Sequence, residues 1–261
     1  MVVAQTPRDT LMIIIAEIPA VMQQYDILKA QAGAQKSTFN LESVRSQYLD
    51  LIRRMITWHE TCPERESFRN EPSKLWLNTD KENGADFTPQ KRCYSSVAVA
   101  ETEIIWATVQ LLLHLELLDL AGTLAWARDN RPSEPIQDES QGLAARIDSA
   151  QVLREVMNYV DIILQSLEYF LEDEAGVLAA SFTVFPAMVA ITFLQKMEDP
   201  RVEFVLALAE AYQRRTAVRF ADLVMEGLNI RVRQEGQTMR WEEIKGSAEG
   251  EVCDNGQISE R

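Results

Sequence analysis

From Tyr94 to Ala127 the chain reads YSSVAVAETEIIWATVQLLLHLELLDLAGTLAWA, and this stretch decides the fold. It has no proline and a single glycine, Gly122. Its apolar residues fall on every side of a 3.6-residue period, as in a helix buried at the centre of a bundle. The stretch Ile104–Leu120 carries Gln110, His114, Glu116 and Asp119. Each charge at the centre of a bilayer costs about 2.5–3.5 kcal/mol, so the expected surroundings are protein, and the expected chain is soluble with no membrane contact. Glu103, Gln110 and His114 are spaced by seven and four residues and share one narrow stripe of this helix.

The segments on either side carry the same period. Thr6-Pro7-Arg8-Asp9 has the form of a helix start, with Thr as N-cap and Pro at the first helical position. Leu11, Ile14, Ile15, Ile18, Val21 and Met22 follow at helical spacing, with a kink expected at Pro19. Leu41, Val44, Tyr48, Leu51, Ile52, Met55 and Ile56 form a second stripe. Residues 61–93, with Pro63, Pro72, Pro89 and Asn83-Gly84, read as a long surface loop. Leu153, Val156, Met157, Val160, Leu164, Leu167 and Leu171 make the most regular face of all. Asp199-Pro200 opens a last helix. No β pattern of useful length occurs. The expected fold is all-α: a single irregular bundle of six or so helices near 7–32, 40–60, 94–127, 144–173, 185–197 and 200–233. Residues 1–234 form the domain, and 235–261 an acidic, glycine-containing, disordered tail.

Composition narrows the function classes. Ten glycines and nine prolines in 261 residues suit long helices better than a turn-rich sandwich. Twenty-six Lys and Arg against forty Asp and Glu give a net charge of −14. That field repels a polyanion, and the short basic runs Arg214-Arg215 and Arg231–Arg233 are too few for a duplex footprint. Direct specific DNA binding is not expected. Cys62, Cys93 and Cys253 have no CxxC spacing, which fits an intracellular location without disulfides or structural zinc. The absence of a basic n-region at the N-terminus makes a signal peptide an unexpected feature.

Candidate chemistry is sparse. There is no glycine-rich phosphate loop, and no GxSxG. His59-Glu60-Thr61-Cys62 starts like a metalloprotease helix but lacks the second histidine, so no metal and no cofactor are expected. Glu172-Asp173-Glu174 reads as a solvated helix end, although acids there oppose the helix dipole. What remains is the polar stripe. As the edge of an apolar pocket, His114 and Glu103 are the candidate acid–base groups, with Gln110, Trp106 and Tyr169 as ligand-binding candidates. The aromatics Trp58, Trp76, Trp126, Phe182, Phe185 and Phe193 are further candidate walls. The same stripe also suits bonds to a neighbouring helix.

The run Ile162–Leu171 (IILQSLEYFL), followed by Gly176 and then Phe185-Pro186, resembles the C-terminal part of the fungal-specific transcription factor domain of Zn2Cys6 regulators. Tyr94-Ser95-Ser96, Ala100, Ala107 and Leu111–Leu115 are similar to that domain's central helix, and Trp58-His59-Glu60 to the helix end before it. The resemblance covers about residues 40–230. It implies a helical effector domain, here without the six-cysteine zinc cluster that reads DNA. Two functions follow as expectations. One is a transcription-regulatory or accessory protein of a fungal secondary-metabolite pathway, nuclear, with a small apolar metabolite or a protein as partner. The other is a cytoplasmic, cofactor-independent enzyme (a cyclase, pericyclase or isomerase) using an apolar pocket in the same fold.

Overall fold

The computed structural model describes residues 6–31, 37–63, 68–73, 90–129, 149–172, 175 and 180–216. Among them are six α-helices and a small two-stranded sheet, so the protein is all-α in character, as expected. The helices are α1 (Pro7–Ala30), α2 (Ser37–Thr61), α3 (Val97–Asp129), α4 (Ser149–Leu167), α5 (Val184–Lys196) and α6 (Arg201–Thr216). The strands β1 (Phe68–Pro72) and β2 (Gln90–Tyr94) lie between α2 and α3. The tail at 235–261, the end of the last expected helix beyond Thr216, Trp76 and Cys253 lie outside the described residues.

Local chemistry sets the helix starts. The Thr6 hydroxyl accepts from the Asp9 N–H at 3.2 Å, and the Asp9 carboxylate accepts from the Thr6 N–H at 2.9 Å. These reciprocal bonds, with Pro7 behind them, satisfy N–H groups that the first turn leaves orphaned. α1 then runs unbroken through Pro19, where a kink was expected. α3 begins three residues later than expected, because Tyr94 belongs to β2 and Ser96 caps the helix through Val99 N–H. Thr102 and Thr108 turn their hydroxyls back to carbonyls one turn earlier, at 2.7 and 2.6 Å. A mostly buried helix carries threonine in this way without orphaning its hydroxyl. α6 starts on Asp199, whose carboxylate accepts from the Arg201 N–H at 2.9 Å.

α3 occupies the middle and touches α1, α2, β2, α4 and α5. α2 runs antiparallel to it, as successive bonds show: His59 meets Glu103, Met55 meets Trp106 and Ile52 meets Gln110. α1 runs parallel to α3, with Arg8 on Glu101 and Lys29 on Asp119. One core of Leu, Ile, Val and aromatic side chains joins all six helices. By length and composition α1 and α3 are apolar enough to cross a membrane; α3 here is the core helix, mostly buried.

The sheet corrects the expectation of an irregular loop over 61–93. Phe68 pairs with Tyr94 and Pro72 with Gln90, antiparallel. FRNEP and QKRCY carry no alternating apolar pattern, and a proline ends one of them, so their pairing is a tertiary effect that local sequence does not announce. The acidic segment also departs from expectation. Helix α4 gives way to a 3-10 turn at Glu168–Leu171, and Glu172 is half-buried and paired with Lys91 from β2. The Lys91 ammonium, its side chain only 3% exposed, supplies the cation that offsets an acid at a helix C-terminal end. Asp173 and Glu174 lie outside the described residues.

Candidate functional site

The polar stripe on α3 is buried: Glu103 is 8% exposed, Gln110 0% and His114 5%. Each of the three meets its need for partners differently. Glu103 accepts from His59 Nε2 at 2.8 Å on one oxygen and from the Arg92 guanidinium at 2.9 Å on the other. Arg92 also donates through Nε to Gln165 on α4 at 3.1 Å, and its guanidinium lies 4.2 Å from the centre of the Phe68 ring. A single carboxylate thus joins α2, β2 and α3, and through Arg92 reaches α4.

The His59 imidazole is fixed on its face as well as its edge. It stacks on the Trp106 indole at 3.7 Å between centres and 7° between planes. Trp106 in turn donates from Nε1 to the Met55 carbonyl at 3.1 Å and meets Tyr159 edge-on at 5.4 Å. One turn further, Gln110 donates to the Ile52 carbonyl at 3.5 Å, while its own Oε1 is buried with no hydrogen-bond partner. α2 therefore receives a ladder of three side-chain contacts from α3, at residues 59, 55 and 52.

His114 stands apart from that ladder. Its Nδ1 lies 2.7 Å from the Gln110 carbonyl, an acceptor only, so the proton sits on Nδ1 and Nε2 carries the lone pair. Its ring lies 5.1 Å from Tyr159. Burial pushes its pKa below the ordinary histidine value, with the Gln110 bond opposing, so the neutral form is favoured. Tyr169, on the turn after α4, packs edge-on against Tyr94 at 5.4 Å and Phe170 at 5.7 Å. Tyr94 in turn shares a 2.6 Å bond with Ser166.

The expected residues therefore fall into two groups, a connected set along α3 and a corner at Tyr169. Glu103 and Trp106 meet through His59; Trp106 and His114 meet through Tyr159; Tyr169 belongs to a separate aromatic corner with Tyr94. The wider aromatic set does not gather in one place: Trp58, Trp106 and Phe193 are buried, whereas Trp126, Phe182 and Phe185 are exposed. The residues that sequence reasoning missed are His59 and Arg92. A carboxylate on an apolar helix needs a cation, and the chain has only two histidines. That signal demanded a partner for Glu103 without naming it. Among the described residues no three His, Cys, Asp or Glu side chains are placed to hold a metal ion. Compared with known proteins, the chain matches no family model, no curated protein and no solved structure.

Proposed function

We propose that this chain is a transcription-regulatory or accessory protein of a fungal secondary-metabolite pathway, a helical effector domain working through protein or small-metabolite contacts. The observation that carries this reading is the commitment of Glu103: both carboxylate oxygens are bonded, to His59 and to Arg92. Trp106 and Gln110 likewise donate to α2 backbone carbonyls. Groups that an enzyme would turn toward a substrate are here employed in holding four elements together. The resemblance of Tyr94–Leu115, Ile162–Leu171 and Phe185-Pro186 to a regulator's effector domain points the same way.

One observation favours the second reading, a cofactor-independent cyclase, pericyclase or isomerase. His114 is a buried neutral imidazole whose protonated nitrogen is fixed by the Gln110 carbonyl, which leaves Nε2 as a base. Deleting the gene in its host separates the two. A regulator's loss lowers the transcripts of the pathway genes together, and a fluorescent fusion concentrates in the nucleus. Unchanged transcripts with a missing or altered product scaffold, and a cytoplasmic fusion, overturn the regulator in favour of the enzyme.

A further inference from the structure

The polar stripe of α3 carries two acceptors whose needs the fold does not meet. Gln110 is wholly buried, and the Ile52 carbonyl orients its amide. The amide nitrogen donates there, so Oε1 points away from that carbonyl, and it has no hydrogen-bond partner among the described residues. His114, one turn on and also buried, gives its Nδ1 proton to the Gln110 backbone carbonyl. Its Nε2 is therefore an acceptor, and makes no hydrogen bond among the described residues. Tyr159 of α4 covers the step between the two. Its ring lies 5.4 Å from Trp106 and 5.1 Å from His114, which stand one turn to either side of Gln110, so the ring spans Gln110. The Tyr159 hydroxyl likewise makes no hydrogen bond among the described residues.

We propose that Gln110 Oε1, His114 Nε2 and the Tyr159 hydroxyl form a binding site for one water molecule on the seam between α3 and α4. The count of donors and acceptors selects this ligand. Two acceptors and a hydroxyl call for a group that donates twice and accepts once. A water does both, and so makes the roughly three bonds usual for a buried water. An alcohol has a single O–H and leaves one acceptor unmet. An amine is protonated at neutral pH, and three neutral groups give its buried charge no counter-ion. The rest of the stripe shows how completely this core satisfies its polar atoms: both Glu103 oxygens and the Trp106 N–H are bonded. Glu103 reaches α4 through Arg92 and Gln165; Gln110 and His114 reach it through the water. The inference rests on neither functional reading, but it bears on the second, since a substrate atom reaches Nε2 only by displacing the water.

Proton NMR of the full chain at about pH 7.5, where the His114 imidazole is neutral, tests it. The expected result is a pair of cross-peaks from the water frequency, one to a His114 ring proton and one to the Gln110 Hγ protons, both with the sign of a long-held water. With only two histidines in the chain, the ring signals are readily told apart. Gln110→Met keeps the length of the side chain and removes the acceptor. The His114 cross-peak is then lost, and the Nε2 resonance moves toward that of an unbonded imine nitrogen. Tyr159→Phe keeps both cross-peaks, because two acceptors still hold the water. This variant separates a bound water from the phenol's own proton, which exchanges with solvent. Absence of either cross-peak in the wild type overturns the proposal, with no variant needed. Loss of the signals in Tyr159→Phe overturns it too, and assigns them to the phenol. Persistence of the His114 cross-peak in a folded Gln110→Met chain overturns it as well, since Oε1 then holds nothing.

Discussion

His59 and Glu103, 44 residues apart in sequence, lie 2.8 Å apart in the core, with the imidazole sandwiched between that carboxylate's edge and the flat face of Trp106. The two side chains come from antiparallel helices whose remaining contacts, at Met55 and Ile52, follow in register. Arg92 closes the far side of the carboxylate. One acid is shared by two donors inside a helical core, and removing it leaves both without their acceptor.

Glu103→Gln is therefore expected to be strongly destabilising. The amide offers one acceptor where two donors converge, and it takes the carboxylate away from the Arg92 charge while leaving its bond to the neutral Gln165 amide. Breaking a buried pair by removing one partner costs about 3–5 kcal/mol. The double change Glu103→Leu with Arg92→Met recovers much of that loss, because no charge is left unpaired. Urea denaturation of the three chains checks the order: wild type, double variant, single variant, from most to least stable.

Alkaline titration probes the buried tyrosines. Burial, the largest of several causes for each, raises the pKa of Tyr25, Tyr48, Tyr94 and Tyr159 above the usual phenol value, Tyr94 up to about 12. The unfolded chain releases those protons near pH 10 while the folded one keeps them. Stability is thus whole below pH 10 and falls as pH rises toward the folded values. Of six tyrosines, four are expected to stay silent in the phenolate absorbance until the protein unfolds. Early, non-cooperative ionisation of more than two would contradict these burials.

The end of α5 holds a residue in an unfavourable backbone state. Glu198 has φ of 53°, and the bonds Asp199 N–H to Leu194 and Glu198 N–H to Gln195 form the paired closure that normally carries glycine at that position. A non-glycine residue there costs about 1–2 kcal/mol, and glycine gives part of that back to unfolded-chain entropy. Glu198→Gly is expected to raise stability by about 0.5–1 kcal/mol, read as a higher thermal midpoint.

The helices were legible because their causes are local. Thr6, Pro7 and Asp9 lie within four residues, Asp199 sits two residues before Arg201, and the α4 stripe repeats over five turns. The stripe of Glu103, Gln110 and His114 was legible for the same reason, since spacing on one helix places all three. Its partners were not. His59 lies at the end of a different helix, and Arg92 in a strand whose own sequence does not predict a strand. Lys91 and Glu172 are 81 residues apart, so the cation that offsets the acidic helix end is visible only once β2 packs beside α4. Periodicity tells which face is inside; it does not tell which buried acid meets which base.

Duplex DNA is expected to bind neither tightly nor specifically to the purified chain at physiological salt. The net charge of −14 opposes the counterion release that supplies most of such affinity. Gel shifts against the promoters of the pathway genes, with and without competitor DNA, measure this. A shift that survives competitor would reveal a basic surface and would change how the regulatory reading is understood.

The last expectation concerns acid. His114 is buried, and burial lowers its pKa in the folded state below the 6.5 of a free histidine, against the pull of its bond to Gln110. Below pH 6.5 the unfolded chain takes up a proton that the folded core refuses. Stability therefore rises with pH wherever the unfolded state binds more protons. It is fully present above 6.5 and is lost as pH falls toward the folded value, with a slope of at most about 1.4 kcal/mol per pH unit from this one group. Replacing the imidazole with a neutral group of similar reach, His114→Gln, removes that slope while leaving the rest of the chain unchanged. The measurement is urea denaturation at pH 7.5, 6.5 and 5.5 for both chains. The wild type is expected to lose more stability across that interval than the variant does. Parallel losses would mean that the folded core takes up the proton as readily as the unfolded chain, and that burial does not hold the His114 imidazole neutral in the way the enzyme reading uses.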